Sequence, residues 1–427
     1  MCPLPSMIST SISACWCAAA NRRVPGVNPT WRRWLSTFSI LVGVSSPPAA
    51  TAAPSDPLHL YAGINWFHDD NLFRLADGVP GYDGQRSDAA RQSVVGIQFD
   101  KQYGRQGLLM HAKQSKVAFD HFKQLDYTGK DYLARVNWEL GNHLSGSAGG
   151  SVVQTLAPYA DFRSRERNLR VHRNGFADAA WRFHPSWRVR GGAVRDRFSY
   201  ELPIQRVNDR TETATELGID YLAGSGSVAG LQWRRLKGDY ANARVFSAVV
   251  LDDSFIQDEL KTRIDWRVTP ISSIAILAGH ARRKYDGVNA RSVSGFNGRA
   301  TVTSQTRAKL RLNAALYREF TPVESNVVSY ALSRGASVGA AWEATSKIRV
   351  DATAMAERRA YQANGLSIDA GQLTDTVRRA SLNATWTPHA AVRVDASLMR
   401  ERRSGSLFFG SGSYSASTLT LGLSARY

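Results

Sequence analysis

A bulky apolar residue, usually an aromatic, returns about every forty residues: Phe99, Trp138, Trp181, Tyr221, Trp266, Val302, Trp342, Trp386 and the final Tyr427. Each closes a short segment in which apolar and polar residues alternate. Ala380, Leu382, Ala384 and Trp386 share one parity, and Arg379, Ser381, Asn383 and Thr385 the other. Such a strand has one oily and one wet face. Each mark is followed by a tight turn and a second alternating segment. After Trp266 comes Thr269-Pro270-Ile271-Ser272-Ser273, and after Trp386 comes Thr387-Pro388-His389. Pro, Ser and Thr suit short turns. Nine hairpins predict eighteen strands, beginning near Leu58.

The far ends of the segments are joined by longer polar stretches, such as Tyr285 to Ser294, Thr321 to Arg334, Tyr361 to Asp375 and Arg403 to Tyr414. Short turns at one rim and long loops at the other are the asymmetry of membrane-spanning β-barrels. An even strand count returns both termini to the short-turn rim. The aromatics then form a girdle there, ring in hydrocarbon and polar edge in water. A soluble propeller also repeats at this period, but it needs four strands per repeat where these segments leave room for two. The expectation is an all-β, antiparallel up-and-down transmembrane barrel with short periplasmic turns and longer extracellular loops.

No apolar run is long enough for a transmembrane helix; the longest is Trp34 to Val44. That run follows Arg22, Arg23, Arg32 and Arg33 and precedes Pro47-Pro48-Ala49-Ala50-Thr51-Ala52-Ala53. Residues 1–53 therefore read as a secretory signal, with a misplaced start accounting for the long stretch before Arg22, and residues 54–427 as one barrel domain. Ile12-Ser13-Ala14-Cys15 imitates a lipoprotein box without the basic and apolar segments before it. Cys2, Cys15 and Cys17 all fall in the leader, so the exported part offers no thiol nucleophile, disulfide or Cys-ligated metal.

The leader holds four of the 54 basic residues and none of the 36 acidic ones, which leaves the remainder with a surplus of fourteen positive charges. The wet parity carries many of them. Lys261, Arg263, Arg267, Lys309, Arg311, Lys347, Arg349 and Arg393 are the candidates to line the lumen, because Arg or Lys facing mid-depth lipid costs about 2–4 kcal/mol. Salt-bridge ladders across neighbouring strands, with the Asp and Glu of the same parity, account for much of this pattern. The surplus is expected to bias the lumen toward anionic or polyhydroxylated solutes. The nine histidines show no metal-ligand spacing, no phosphate loop is present, and the basic residues are not clustered for nucleic acid. No catalytic residue, metal or cofactor is expected. A Ser/His/Asp hydrolase on the rim is the enzymatic alternative.

One segment stands apart: Trp66-Phe67-His68-Asp69-Asp70-Asn71-Leu72-Phe73-Arg74-Leu75. It reads either as a turn, with Asp and Asn bonding their own backbone and Leu72 and Phe73 packing, or as a constriction near one mouth. In the second reading Asp69, Asn71, Phe73 and Arg74 contact solute, Phe73 as a stacking face and Arg74 as a donor. Asp69-Asp70-Asn71-Leu72-Phe73-Arg74-Leu75 resembles the Asp-Ser-Asn-Leu-Phe-Arg-Leu segment of EpsL-type exopolysaccharide outer-membrane proteins, within the β-barrel porins, with Asp70 departing from the family's Ser. The hairpin layout and terminal aromatic are similar throughout residues 54–427. The resemblance implies polysaccharide export or anchoring at the Gram-negative outer membrane and supplies no catalytic residues. Implied partners are outer-membrane lipid and lipopolysaccharide, the polymer as transported solute, the barrel-assembly machinery and a periplasmic export partner. A plugged barrel that docks such a partner is the alternative to an open channel.

Overall fold

The computed structural model describes residues 56–427 except 247–248, 286–291, 307–308, 327, 329, 362–373 and 406–411. The leader expected over residues 1–53 lies outside the described residues. One antiparallel sheet of eighteen strands is formed by β1 (Leu58–Asp69), β2 (Asp88–Tyr103), β3 (Gln106–Phe119), β4 (Tyr127–Leu140), β5 (Leu144–Leu156), β6 (Leu169–His184), β7 (Trp187–Tyr200), β8 (Arg210–Leu222) and β9 (Val228–Tyr240), continued by a second nine. These are β12 (Phe255–Thr269), β13 (Ser272–Tyr285), β14 (Val293–Thr306), β15 (Leu310–Pro322), β16 (Tyr330–Glu343), β17 (Ile348–Tyr361), β18 (Thr374–His389), β19 (Val392–Ser404) and β20 (Tyr414–Arg426). A small hairpin, β10 (Arg244–Phe246) and β11 (Val249–Leu251), lies between β9 and β12.

Each strand pairs with its neighbours in sequence, and β1 pairs with both β2 and β20, so the sheet closes on itself. At the seam Leu60 and Tyr427 exchange two backbone hydrogen bonds of 2.9 and 2.8 Å. Both described ends of the chain therefore sit at the short-turn rim, as an even strand count requires. Only Gly104 and Arg105 separate β2 from β3, and Gly104 takes the left-handed φ of 57° that so tight a turn demands. At the opposite rim, residues 70–87 and 157–168 form long connections.

Parity decides which face each residue takes. On β12, Leu260, Ile264 and Trp266 are exposed outward, whereas Glu259, Lys261, Arg263 and Asp265 are buried inward. Trp181, Tyr221, Trp266, Val302, Trp342, Trp386 and Tyr427 all stand exposed near the short-turn ends. Phe99 and Trp138 are half-buried instead. Trp138 lies directly across from Gly146 on β5, and a Cβ at Gly146 would come within 2.4 Å of the indole. The glycine lets the ring lie flat on the sheet. A closed sheet with no free edge, apolar outside and charged inside, is a barrel that spans a membrane with its backbone fully paired. The fold is that of an outer-membrane barrel.

Candidate functional site: the lumen and its inward loops

Inside the barrel the charges are paired. Arg263 lies 2.7 Å from Asp265, Arg349 2.9 Å from Asp351 and Arg393 2.6 Å from Asp395. Each is an Arg-x-Asp on one strand, because positions two apart share a face of the pleat. Glu259 is shared by Lys261 at 2.7 Å and Arg234 at 3.5 Å. Asp220 of β8, with a fully buried side chain, gathers Arg188 at 2.5 Å and Arg190 at 3.2 Å from β7 and Arg263 at 4.0 Å from β12. Arg299 on β14 reaches Glu319 on β15 at 2.8 Å. The other lumen candidates lie lower. Arg267, Lys309, Arg311 and Lys347 are exposed at the short-turn rim, where Lys347 donates to the Pro388 carbonyl at 2.9 Å. Parity assigns a residue to one side of the sheet and says nothing of height.

A cavity at mid-height is walled by β6–β9 and β12–β15, with Arg188, Arg234, Lys261 and Arg263 among its lining. Six Asp or Glu and six Arg or Lys line it. The expected positive bias is therefore corrected here: the carboxylates match the cations, and the surplus charge lies elsewhere. Among the described residues no group of three or more His, Asp or Glu is placed to hold a metal.

At the long-loop rim, connections fold inward and latch onto the opposite wall. Residues 157–168 join β5 to β6, and Asp161 within them accepts from Arg403 of β19 at 3.0 Å and from Arg359 of β17 at 3.4 Å. Counted around the ring, β6 and β17 are nine strands apart, half the circumference. Arg403 also bonds Asp375 and Tyr361, and Arg359 bonds Glu357. From the other direction Glu324, between β15 and β16, reaches Arg170 of β6 at 2.8 Å. Its neighbour Ser325 accepts from Arg244 at 2.6 Å, and Arg244 is held by Asp253 at 2.9 Å. Two connections thus cross the lumen in opposite senses. Arg163 of the first has guanidinium nitrogens Nε and Nη2 with no hydrogen-bond partner among the described residues. Burial, and the nearby Arg403 and Arg86, hold its pKa below the ordinary arginine value, although Tyr414 works against them.

The segment from Asp69 to Leu75 is a bracket for this arrangement, which corrects the expectation of a solute-contacting constriction. Phe73 has no exposed surface. Its ring meets Tyr82 and Phe122 edge-on at 4.8 Å and Tyr159 of the crossing loop at 5.0 Å. Arg74, at a left-handed φ of 56°, forms two bonds to Asp69 at 2.7 and 2.8 Å and also donates to the Asn71 carbonyl. Burial opposes its charge, but the Asp69 carboxylate beside it more than compensates and raises its pKa above the ordinary value. Asn71 bonds the Leu75 backbone through both amide atoms, at 2.9 and 2.8 Å, and reaches the Ser415 carbonyl at 3.0 Å. A stacking ring must be open and a recognising guanidinium must have donors to spare. Here all four side chains are consumed in holding the turn.

No family model matches the chain, and no curated protein is significantly similar to it. Solved outer-membrane proteins are among the structures it is similar to. The outer membrane protein OpdK of Pseudomonas aeruginosa is 10% identical, with 87% of this chain and 99% of that one covered and a TM-score of 0.47. A BenF-like porin from Pseudomonas fluorescens Pf-5 gives the same identity, coverages and TM-score. OpdQ of P. aeruginosa, also 10% identical, covers 87% and 97% at 0.47. At this similarity no residue role transfers.

Sequence reasoning did not single out Asp161, Arg163, Arg359, Arg403 or Asp220. The first two lie in Asp161-Phe162-Arg163-Ser164-Arg165-Glu166-Arg167, whose charge density was the available signal.

Proposed function

We propose that this chain is an outer-membrane channel for small hydrophilic solutes, narrowed by two connections that cross its lumen near the extracellular rim. The observation that carries the reading is the pairing of an apolar exterior with a charge-lined mid-height cavity, below loops tethered by ion pairs. Paired charges of both signs favour polar or zwitterionic solutes over a strongly anionic one, and Arg163 supplies a donor at the narrowing. Small side chains such as Gly192 and Ala214 leave room between the charged ones. Planar-bilayer recording tests this: discrete conductance steps are expected, larger after residues 157–168 are shortened. Absence of any step, even with the long connections trimmed, refutes it.

The resemblance to EpsL-type proteins makes extracellular polysaccharide the specific alternative for the solute. It rests on residues 69–75, whose side chains hold the loop framework, so support for it comes from layout alone. Blockage of conductance by added polymer from the periplasmic side is its test. The inward latches favour a second reading, a plugged barrel that docks a periplasmic export partner. That reading requires conductance to stay absent until the loops are removed.

A further inference from the structure

The positive charge missing from the cavity lies partly on the outside of the barrel, and its arrangement is specific. On β15–β19 the outward parity is apolar from the short-turn rim upward and then becomes arginine: Arg318, Arg334, Arg358, Arg378, Arg400 and Arg402. Register sets several of these face to face across neighbouring strands. Arg334 is directly opposite both Arg318 and Arg358, and Arg378 is opposite Arg402. Like charges so placed destabilise a sheet unless something neutralises them. On the inner face of β17–β19 at the same level the arginines have carboxylate partners: Arg359 with Glu357, Arg379 with Glu401, and Arg403 with Asp375. Outside, Arg334, Arg358, Arg378, Arg400 and Arg402 are exposed and form no ion pair among the described residues. Arg318 donates to the Phe296 carbonyl.

Height identifies what covers the patch. From Trp342 up to Arg334 is eight residues, and from Ile348 up to Arg358 ten. At about 3.3 Å per residue and a tilt of about 40°, these spans rise about 20–25 Å. That is close to the roughly 25 Å apolar band of such barrels. The aromatic girdle marks the lower interface, so the arginines stand at the upper one, beside the headgroups of the outer leaflet. There they escape the mid-depth penalty, and a guanidinium can bind a phosphate through two parallel hydrogen bonds.

We infer that the outward arginines of β15–β19 form a binding site for the phosphorylated headgroup of an outer-leaflet glycolipid, a bisphosphorylated lipid of the lipid A class. Two phosphates on one headgroup match two facing pairs of arginines, and the acyl chains lie along Ala336, Val338, Ala354 and Leu382 below. The inference rests on the outer-membrane reading with the long loops facing outward, and not on channel activity. Native mass spectrometry of the purified barrel in micelles, with bisphosphorylated lipid A and its phosphate-free counterpart as probes, tests it. The wild type is expected to retain the bisphosphorylated lipid and not the other. The R378Q/R402Q variant should bind it at least about tenfold more weakly, and adding R334Q, R358Q and R400Q should abolish retention. Lys101→Gln at the opposite rim should retain it as the wild type does. Heat-modifiable gel migration verifies the fold of each variant, and the double variant keeps the test sound if the fivefold one does not assemble. Equal retention in wild type and double variant, equal retention of the phosphate-free lipid, or an adduct that is a second copy of the chain would overturn the inference. Conductance of the same samples reports separately on the channel reading.

Discussion

Replacing Asp161 with alanine should release the loop that crosses the lumen. Its carboxylate holds Arg403 at 3.0 Å and Arg359 at 3.4 Å, all three side chains being buried. Charge-assisted hydrogen bonds contribute about 1.5–3 kcal/mol each. The longer contact belongs at the low end, so the latch is worth about 3–4 kcal/mol before relaxation. Both arginines keep other carboxylates, Asp375 and Glu357, so neither is left as a bare buried charge. The loss therefore falls mainly on the loop. Arg403 also donates to the Ala160 carbonyl, a bond that survives and returns part of the loss. A net change of about 3 kcal/mol shifts the latched-to-free ratio on the order of a hundredfold. In single-channel recording, D161A should show a higher main conductance and frequent open–closed flicker, and Asp161→Asn an intermediate behaviour. R403Q combined with D161A should release the loop further than D161A alone, since it also removes the surviving bond to the Ala160 carbonyl. Wild-type conductance and quiet openings in D161A would refute the latch.

Three further outcomes follow from the same geometry. Asp220→Asn leaves Arg188, Arg190 and Arg263 facing one another, so the barrel should lose about 3–5 kcal/mol in urea unfolding from lipid vesicles, and its reversal potential in a salt gradient should move toward anion selectivity. An unchanged unfolding midpoint would count against the shared-carboxylate reading. Phe73→Ala removes a fully buried ring and should cost about 3–5 kcal/mol; limited proteolysis should then cut within residues 157–168, because Tyr159 has lost its support. Arg163→Glu should turn the channel toward cation selectivity with little change in unfolding midpoint, and identical selectivity would remove Arg163 from the solute path.

The strand count, the closure and the placement of the ends were legible because they depend on period and parity, which any stretch of a dozen residues displays. Trp386 and Leu382 against Thr385 and Asn383 suffice to orient β18. Height along the strand is not local information, which is why Arg267, Lys309, Arg311 and Lys347 read as lumen residues and stand at the rim. The latch was illegible for a stronger reason: Asp161 and Arg403 are 242 residues apart, and nothing near either announces the other. The segment from Asp69 to Arg74 is distinctive because a buried turn with a left-handed arginine restricts its residues closely. Distinctiveness of sequence there reflects packing.

The seam between β1 and β20 has a consequence for assembly. Its bonds join the first and last strands of the barrel, so until the last strand arrives β1 presents an open edge. Such edges invite pairing with other chains. The polypeptide must be kept apart from its own kind for the whole of its passage, and shortening it by even the final strand leaves two adhesive borders. The seam is also arbitrary in place. Leu60 and Tyr427 lie side by side, so a barrel beginning at β1, with its first and last strands spliced there and reopened between Gly104 and Arg105, should build the same cylinder, checked by gel migration and conductance.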